Sequence, residues 1–322
     1  MTHQRGLLGT VSIQIDQPLP LPTRLSPSRA GDFVQCPKLF YYKTILGRST
    51  PQTAATAKGT LAHLVLERLF DHEREDRTLE VALAYVKPGW ETMVRPLKER
   101  GAVLPDSLEA ALRDREGLWR DDVDRDSSKE ERLQTQAEQY EAVAPRDSKQ
   151  EANLLEETTA VITNYFVAEV ERPWNFDPEA REQHLEATVG NVTLHGFIDR
   201  LDRYTTSDGE VRWVISDYKT GKVPKAQYLD KSFFAMKVYA LLLTESDAEK
   251  KPFSLRLVFV GAPKHESVKV LQVDDKLLES TRRTMNRLWD EISQSYNEDV
   301  WETKKGPLCN WCHFQAECPA FR

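Results

Sequence analysis

The sequence predicts an α/β fold in which a mixed central sheet is flanked by helices. Three stretches carry that expectation. Residues 195–222, HGFIDRLDRYTTSDGEVRWVISDYKTGK, read as two β-strands joined by a turn at Asp208–Gly209, a pair that accommodates the positive φ of a tight hairpin connection. Residues 233–243, FFAMKVYALLL, are too apolar all round for a surface helix and should pack directly under the sheet. Residues 58–70, KGTLAHLVLERLF, place Leu61, Leu64, Val65, Leu66 and Leu69 at helical spacing, which makes a buried stripe.

Taken in order, residues 1–25 end in Pro18, Pro20 and Pro22 and read as an extended N-terminal arm. The rest, 26–322, reads as a single elaborated domain. Within 26–75, Ser26 is placed to cap a helix with Pro27 in its first turn, and that helix is expected to run on through Phe33, Cys36, Phe40, Tyr41 and Tyr42. Residues 76–180 are charged, helical in period and poor in β-branched runs, and read as a helical insertion closed near Pro173–Trp174. The sheet is expected over 181–273, with two further strands near 255–260 and 268–273. A polar helix from about Asp274 to Asn297 then leads into a cysteine-bearing end, within 274–322.

Composition sets limits. Charged residues make up 30% and hydrophobic ones 40%, and the formal net charge is −7. That charge argues mildly against nonspecific nucleic-acid binding, although local basic patches and bound metal set the field at a site. No apolar run approaches a membrane-spanning length, and residues 1–25 lack the apolar core of a signal peptide, so the expectation is a cytoplasmic protein without a membrane partner. No G-x-x-x-x-G-K-[ST] stretch occurs, so an ATP-driven motor would have to be a separate protein.

The chemistry concentrates at the hairpin. Its second strand alternates, so Trp213, Ile215, Asp217 and Lys219 share one face. Asp199 lies near the middle of the first strand, where its carboxylate can converge with that of Asp217. Two carboxylates on neighbouring strands repel unless a divalent cation neutralises them, and an oxygen-rich site of this kind suits Mg²⁺ or Mn²⁺. A lysine beside them can orient water and stabilise developing phosphate charge, which is the logic of metal-dependent phosphodiester hydrolysis. Acid-x-Lys alone is a common chance match. The preceding hairpin, the apolar run Trp213–Val214–Ile215 and the second acid in GFID separate this one from chance.

There are four cysteines: Cys36, then Cys309, Cys312 and Cys318 as C-x₂-C-x₅-C. Disulfides are rare in the cytosol, so this grouping points to a metal. Zinc in a Cys₄ site and a [4Fe–4S] cluster both take four thiolates, and the spacing does not decide between them.

GFIDRLDR followed by DYKTG resembles the core of the PD-(D/E)xK nucleases, which have a restriction-endonuclease-like fold, and within them the RecB/AddB-type exonucleases and the CRISPR-associated adaptation nucleases. The resemblance assigns Asp199, Asp217 and Lys219 to the catalytic pattern. It makes Gly59 and His63 the G-x-x-x-H motif, with His63 a third ligand for Mg²⁺ or Mn²⁺ beside the two acids. It matches Ser26-Pro27-Ser28 and CPKLFYY to the family's N-terminal segment. Tyr239 becomes the tyrosine of Q-x-x-x-Y and a candidate DNA contact, although Ala235 stands at the glutamine position. For Cys36, Cys309, Cys312 and Cys318 it favours an iron–sulfur cluster that clasps the two chain ends, with Zn²⁺ the alternative occupant. What the resemblance implies is a deoxyribonuclease, an exonuclease acting on single-stranded DNA or DNA ends in recombination or repair, working with a separate helicase or recombination protein. The alternatives are a DNA-binding or assembly subunit that keeps the fold without cleaving, and an adaptation-type endonuclease that needs a partner. Arg200, Arg203, Lys222 and Lys225 are candidate phosphate contacts.

Overall fold

The computed structural model describes residues 18–48, 50, 53–94, 148–170, 176–261 and 267–322. Within the charged segment 76–180, residues 95–147 and 171–175, Pro173–Trp174 among them, lie outside these limits.

Helix α1 spans Pro27–Gln35, and the Ser26 side chain accepts from the Arg29 N–H at its start, as expected of an N-cap. The helix does not continue through Cys36. Cys36 is extended, at φ −166° and ψ 115°, because the following Pro37 disfavours helical geometry in the residue before it. A short α2 (Pro37–Phe40) and a π-helical turn (Tyr41–Ile45) follow. Helix α3 (Ala54–Leu69) opens on a capping box between Thr53 and Thr56 and buries Leu61, Leu64, Val65, Leu66 and Leu69. Helices α4 (Leu79–Ala84), α5 (Val86–Val94) and α6 (Ser148–Val170) pack with α3.

The sheet is five-stranded, in the order β1 (Phe176–Val189), β2 (Val192–Thr205), β3 (Val211–Lys219), β4 (Pro252–Phe259), β5 (Val268–Gln272). It is mixed: β3 and β4 are parallel and every other neighbouring pair is antiparallel. The crossover between the parallel strands carries α7 (Ala226–Ser232) and α8 (Phe234–Ser246). A final helix, α9 (Asp275–Glu298), is capped by Asp274.

Two apolar layers sandwich the sheet. On one face α8 buries Met236, Val238, Leu241 and Leu242 against Ile198, Ile215, Leu255 and Leu257, with Phe33 of α1 and Met285 of α9 in the same cluster. On the other face α3, α5 and α6 pack through Leu61, Trp90 and Ile162 against Val258 and Val260. Alternation of side chains along a strand is what allows one sheet to feed both layers.

Two boundaries differ from expectation. The sheet begins at Phe176 rather than near residue 181. Leu25, placed in the arm by sequence, is fully buried, and its N–H donates to the Thr193 carbonyl at 2.9 Å. Burial of that leucine ties the described end of the arm, 18–25, into the folded unit. Among the described residues, no helix is long and apolar enough to cross a membrane.

Candidate active site

Register builds the site. The pairs Arg200–Ser216 and Leu201–Ile215 fix β2 against β3, which sets Asp199 opposite Asp217. The pairs Arg181–Arg200 and Gln183–Ile198 fix β1 against β2, which sets Glu182 opposite Asp199. Three carboxylates, Glu182, Asp199 and Asp217, therefore stand in one row across three strands. Like charges opposite one another destabilise a sheet. Glu182 also adopts a left-handed φ of +46°, a conformation uncommon for a residue other than glycine and concentrated at functional sites.

Helix α3 brings His63 to this row from the second apolar layer. His63 Nε2 lies 3.0 Å from the Tyr218 carbonyl oxygen. A carbonyl can only accept, so Nε2 carries a hydrogen. The other ring nitrogen, Nδ1, faces Asp199 Oδ2 at 3.3 Å. An imidazole nitrogen and a carboxylate oxygen so placed share either a proton or a cation. The nitrogen of His63 and the carboxylates of Glu182 and Asp199 each offer a ligand atom, all within 4.8 Å of one another. One imidazole and several carboxylates form a donor set that fits Mg²⁺ or Mn²⁺.

Asp217 is buried and its pKa is pushed up to about 6, first by burial and then by the Asp199 carboxylate. Lys219 Nζ stands 2.9 Å from Asp217 Oδ1 and 2.6 Å from Oδ2. Burial works against charge on Lys219, but Asp217 and Asp199 outweigh it and its pKa is raised. Lys219 is thus a fixed cation at neutral pH. Tyr239 reaches the same region from α8: burial, then Asp199, Asp217 and Glu182, push its phenol well above the ordinary value. A Cβ at Gly196 would come within 2.7 Å of Tyr239 Cε1, so the glycine of GFID lets the ring seat on β2.

The structure thus brings His63, Asp199, Asp217, Lys219 and Tyr239 together. Ala235 is half-buried one helical turn before Tyr239 and offers no polar side chain. Arg200 corrects a sequence expectation. It is 2% exposed and pairs with Asp202 and Glu169, so it cannot meet a phosphate. Arg203, Lys222 and Lys225 are exposed.

Glu182 escaped the sequence reading, although a signal for it exists. Gly190–Asn191 joins β1 and β2 as a two-residue turn, with Gly190 at φ +67°, a connection that fixes hairpin register. Counting back from the Val189–Val192 pair places Glu182 against Asp199.

The far end of the chain meets α2. The Lys38 N–H donates to the Glu302 carbonyl at 3.0 Å, Trp301 stacks on Phe40 with ring centroids 5.9 Å apart, and Phe314 stacks on Tyr42 at 4.9 Å. The four cysteines are unpaired thiols. The pKa of Cys312 is raised, first by burial and then through the charges of Cys309, Cys318 and Cys36, while a backbone hydrogen bond opposes the rise. That coupling places the four thiols in one neighbourhood. Among the described residues no three cysteine sulfurs lie within 4.8 Å of one another.

A mixed sheet presenting a carboxylate row, an acid-x-Lys strand end and a helix-borne histidine defines a metal-dependent phosphodiester hydrolase. Residues 24–319 match the family model of the PD-(D/E)XK nuclease superfamily, and the chain belongs to that superfamily. No curated protein matches the chain.

Proposed function

We propose that this chain is a RecB-type deoxyribonuclease, an exonuclease that hydrolyses single-stranded DNA or DNA ends in recombination or repair. The observation that carries the reading is the row Glu182–Asp199–Asp217 with His63 at one side and Lys219 at the other. His63, Asp199 and Asp217, joined by Glu182, would hold Mg²⁺ or Mn²⁺. A divalent cation there supplies Lewis acidity to the scissile phosphate and acidifies the attacking water. Lys219, held protonated by the same carboxylates, is placed to neutralise charge that develops on the phosphate. Tyr239, Arg203, Lys222 and Lys225 are the residues available to touch DNA. The motor for such an enzyme would be a separate helicase or recombination protein.

The test is cleavage of end-labelled linear single-stranded DNA, duplex DNA and RNA, with circular single-stranded DNA alongside. Linear single strands should be degraded with Mg²⁺ or Mn²⁺ and spared with EDTA, while circles survive. Cutting of circles would replace the exonuclease reading with an endonuclease, and no cutting of any substrate would leave a non-cleaving binding subunit.

A pH dependence follows from Asp217. Its folded pKa of about 6 lies above the ordinary Asp value of about 3.9. Protonation therefore favours the metal-free fold as pH falls through 6, and above 6 the charge is a cost on that fold. A cation that needs the carboxylate competes with this proton. Calorimetric Mn²⁺ affinity should weaken as pH drops from 7.5, approaching about tenfold per unit below 6. A flat profile down to pH 5 would remove Asp217 from the ligand set.

We also propose a [4Fe–4S] cluster on Cys36, Cys309, Cys312 and Cys318. A single zinc at ~2.3 Å from each sulfur would draw the sulfurs to about 3.8 Å from one another. A cubane carries its thiolates on the corners of a larger body, and it is the occupant that the resemblance to the RecB/AddB-type nucleases favours. Unpaired cysteines used this way also suit a cytoplasmic protein.

A further inference from the structure

Beneath the carboxylate row, on the α3 and α6 side of the sheet, lies a closed ring of buried charges. Arg200 Nε donates to Asp202 Oδ2 at 2.9 Å, and Asp202 Oδ2 also accepts from Ser216 Oγ at 2.8 Å. Ser216 Oγ accepts from Arg256 Nη1 at 3.2 Å. Arg256 Nη2 donates to Glu169 Oε1 at 2.6 Å. The circuit closes where Glu169 Oε2 lies 3.5 Å from Arg200 Nη2. Arg200, Asp202 and Arg256 are at most 2% exposed, and two arginines balance two acids.

Such a ring is a poor source of stability. Removing charges from water costs several kcal/mol per ion, and well-packed apolar side chains often serve the fold as well or better. What a buried network of this kind does supply is a fixed geometry. The question is which functional group that geometry holds.

Arg200 Nη1 donates to the Tyr218 hydroxyl at 2.8 Å and to the Tyr165 hydroxyl at 3.3 Å. Tyr218 stands between Asp217 and Lys219 in β3, pointing to the opposite face from both. Its carbonyl accepts from His63 Nε2 at 3.0 Å, and its N–H donates to Asp199 Oδ2 at 3.2 Å. Four of the site's side chains are thus either its neighbours in sequence or bonded to its main chain. Tyr165 shares the same arginine but lies on α6; among the described residues the bonds from His63 and to Asp199 are made by the main chain of Tyr218, not of Tyr165.

We infer that Tyr218 is the positioning residue of the metal site: its hydroxyl, anchored by Arg200 in the buried ring, fixes the peptide that orients His63 and Asp199 and spaces Asp217 from Lys219. This rests on the metal-site reading above. Partners that orient metal ligands typically govern affinity by about 10- to 100-fold.

The test compares Mn²⁺ binding by isothermal calorimetry, and metal-free melting, in wild type, Tyr218→Phe and Tyr165→Phe. Both variants delete a hydroxyl that accepts from the same arginine, and both keep the ring. Tyr218→Phe should weaken Mn²⁺ binding by about tenfold, whereas Tyr165→Phe should stay within about twofold of wild type whatever its melting temperature. Arg200→Lys, which keeps the charge but cannot reach Asp202 and the Tyr218 hydroxyl together, should weaken binding in the same direction and guards against a poorly folding Tyr218→Phe. Wild-type affinity in Tyr218→Phe, or an equal loss in Tyr165→Phe, would overturn the inference while leaving the metal site intact. A wild type that takes up no Mn²⁺ would remove the metal site and the inference together.

Discussion

Asp217→Asn is expected to lower DNA cleavage by at least about 10³-fold, equivalent to roughly 4 kcal/mol of transition-state stabilisation, while the metal-free protein melts no lower than wild type. The two halves have one cause. Asp217 is buried opposite Asp199, and that crowding raises its pKa to about 6. At neutral pH its charge therefore opposes the metal-free fold, and an amide of the same shape relieves the repulsion. The same substitution removes a carboxylate from the proposed donor set and the counter-charge from Lys219. Lys219→Ala should be similarly inactive yet still bind Mn²⁺, because the lysine is not a ligand. Single-turnover cleavage paired with thermal melts checks this. An Asp217→Asn protein that cuts at the wild-type rate would mean that the carboxylate row is not the active site.

Cys309→Ser should yield a colourless protein whose last residues are digested first. Wild type purified without oxygen should be brown, with about four irons and four sulfides per chain. The C-terminal stretch after α9 holds only short 3₁₀ turns, and its buried apolar residues are Trp301 and Phe314. Beyond these, the segment is held by three aromatic contacts with α2 and the π-helical turn, an Arg48–Glu317 ion pair and a few hydrogen bonds, a modest hold without a cluster. Binding energy at a structural metal group is folding energy, so its loss should free this segment and lower the melting temperature by several degrees. Of its two buried aromatics, Trp301 belongs to the apolar layer under the sheet and Phe314 does not, so limited proteolysis should clip the end beyond Trp301 and spare the core. A stable, protease-resistant Cys309→Ser protein would remove the clasp, and a colourless wild type carrying one zinc would remove the iron–sulfur assignment.

Gly196→Ala gives a smaller effect by a separate route. The added methyl pushes the Tyr239 ring away from β2. If Tyr239 touches the substrate, the KM for DNA should rise several-fold with little change in Mn²⁺ affinity. An unchanged KM would leave Tyr239 a packing residue.

Much of this architecture is written locally. Alternation from Val211 to Lys219 and the Asp208–Gly209 turn specify the hairpin and put Asp217 and Lys219 on one face. Ser26, Thr53 and Asp274 mark helix starts, because a cap's side chain and the amides it satisfies are near neighbours in the chain. The all-round apolar character of 233–243 requires a covered position. Period-two alternation also turns Arg200 away from Asp199, so its burial was legible in principle. Its partner Glu169 was not, since Glu169 comes from α6, far away in the chain. The break at Cys36 was legible too, in the proline that follows it. Tertiary structure alone decided that His63, on a separate helix, meets the strand row with Nδ1 toward Asp199, and that Tyr218 joins that row to a buried ring of charges. Backbone geometry and periodicity are properties of adjacent residues. Convergence of side chains from α3, β1, β2 and β3 depends on register and packing between segments far apart in the chain, which the chain settles only when the whole core forms.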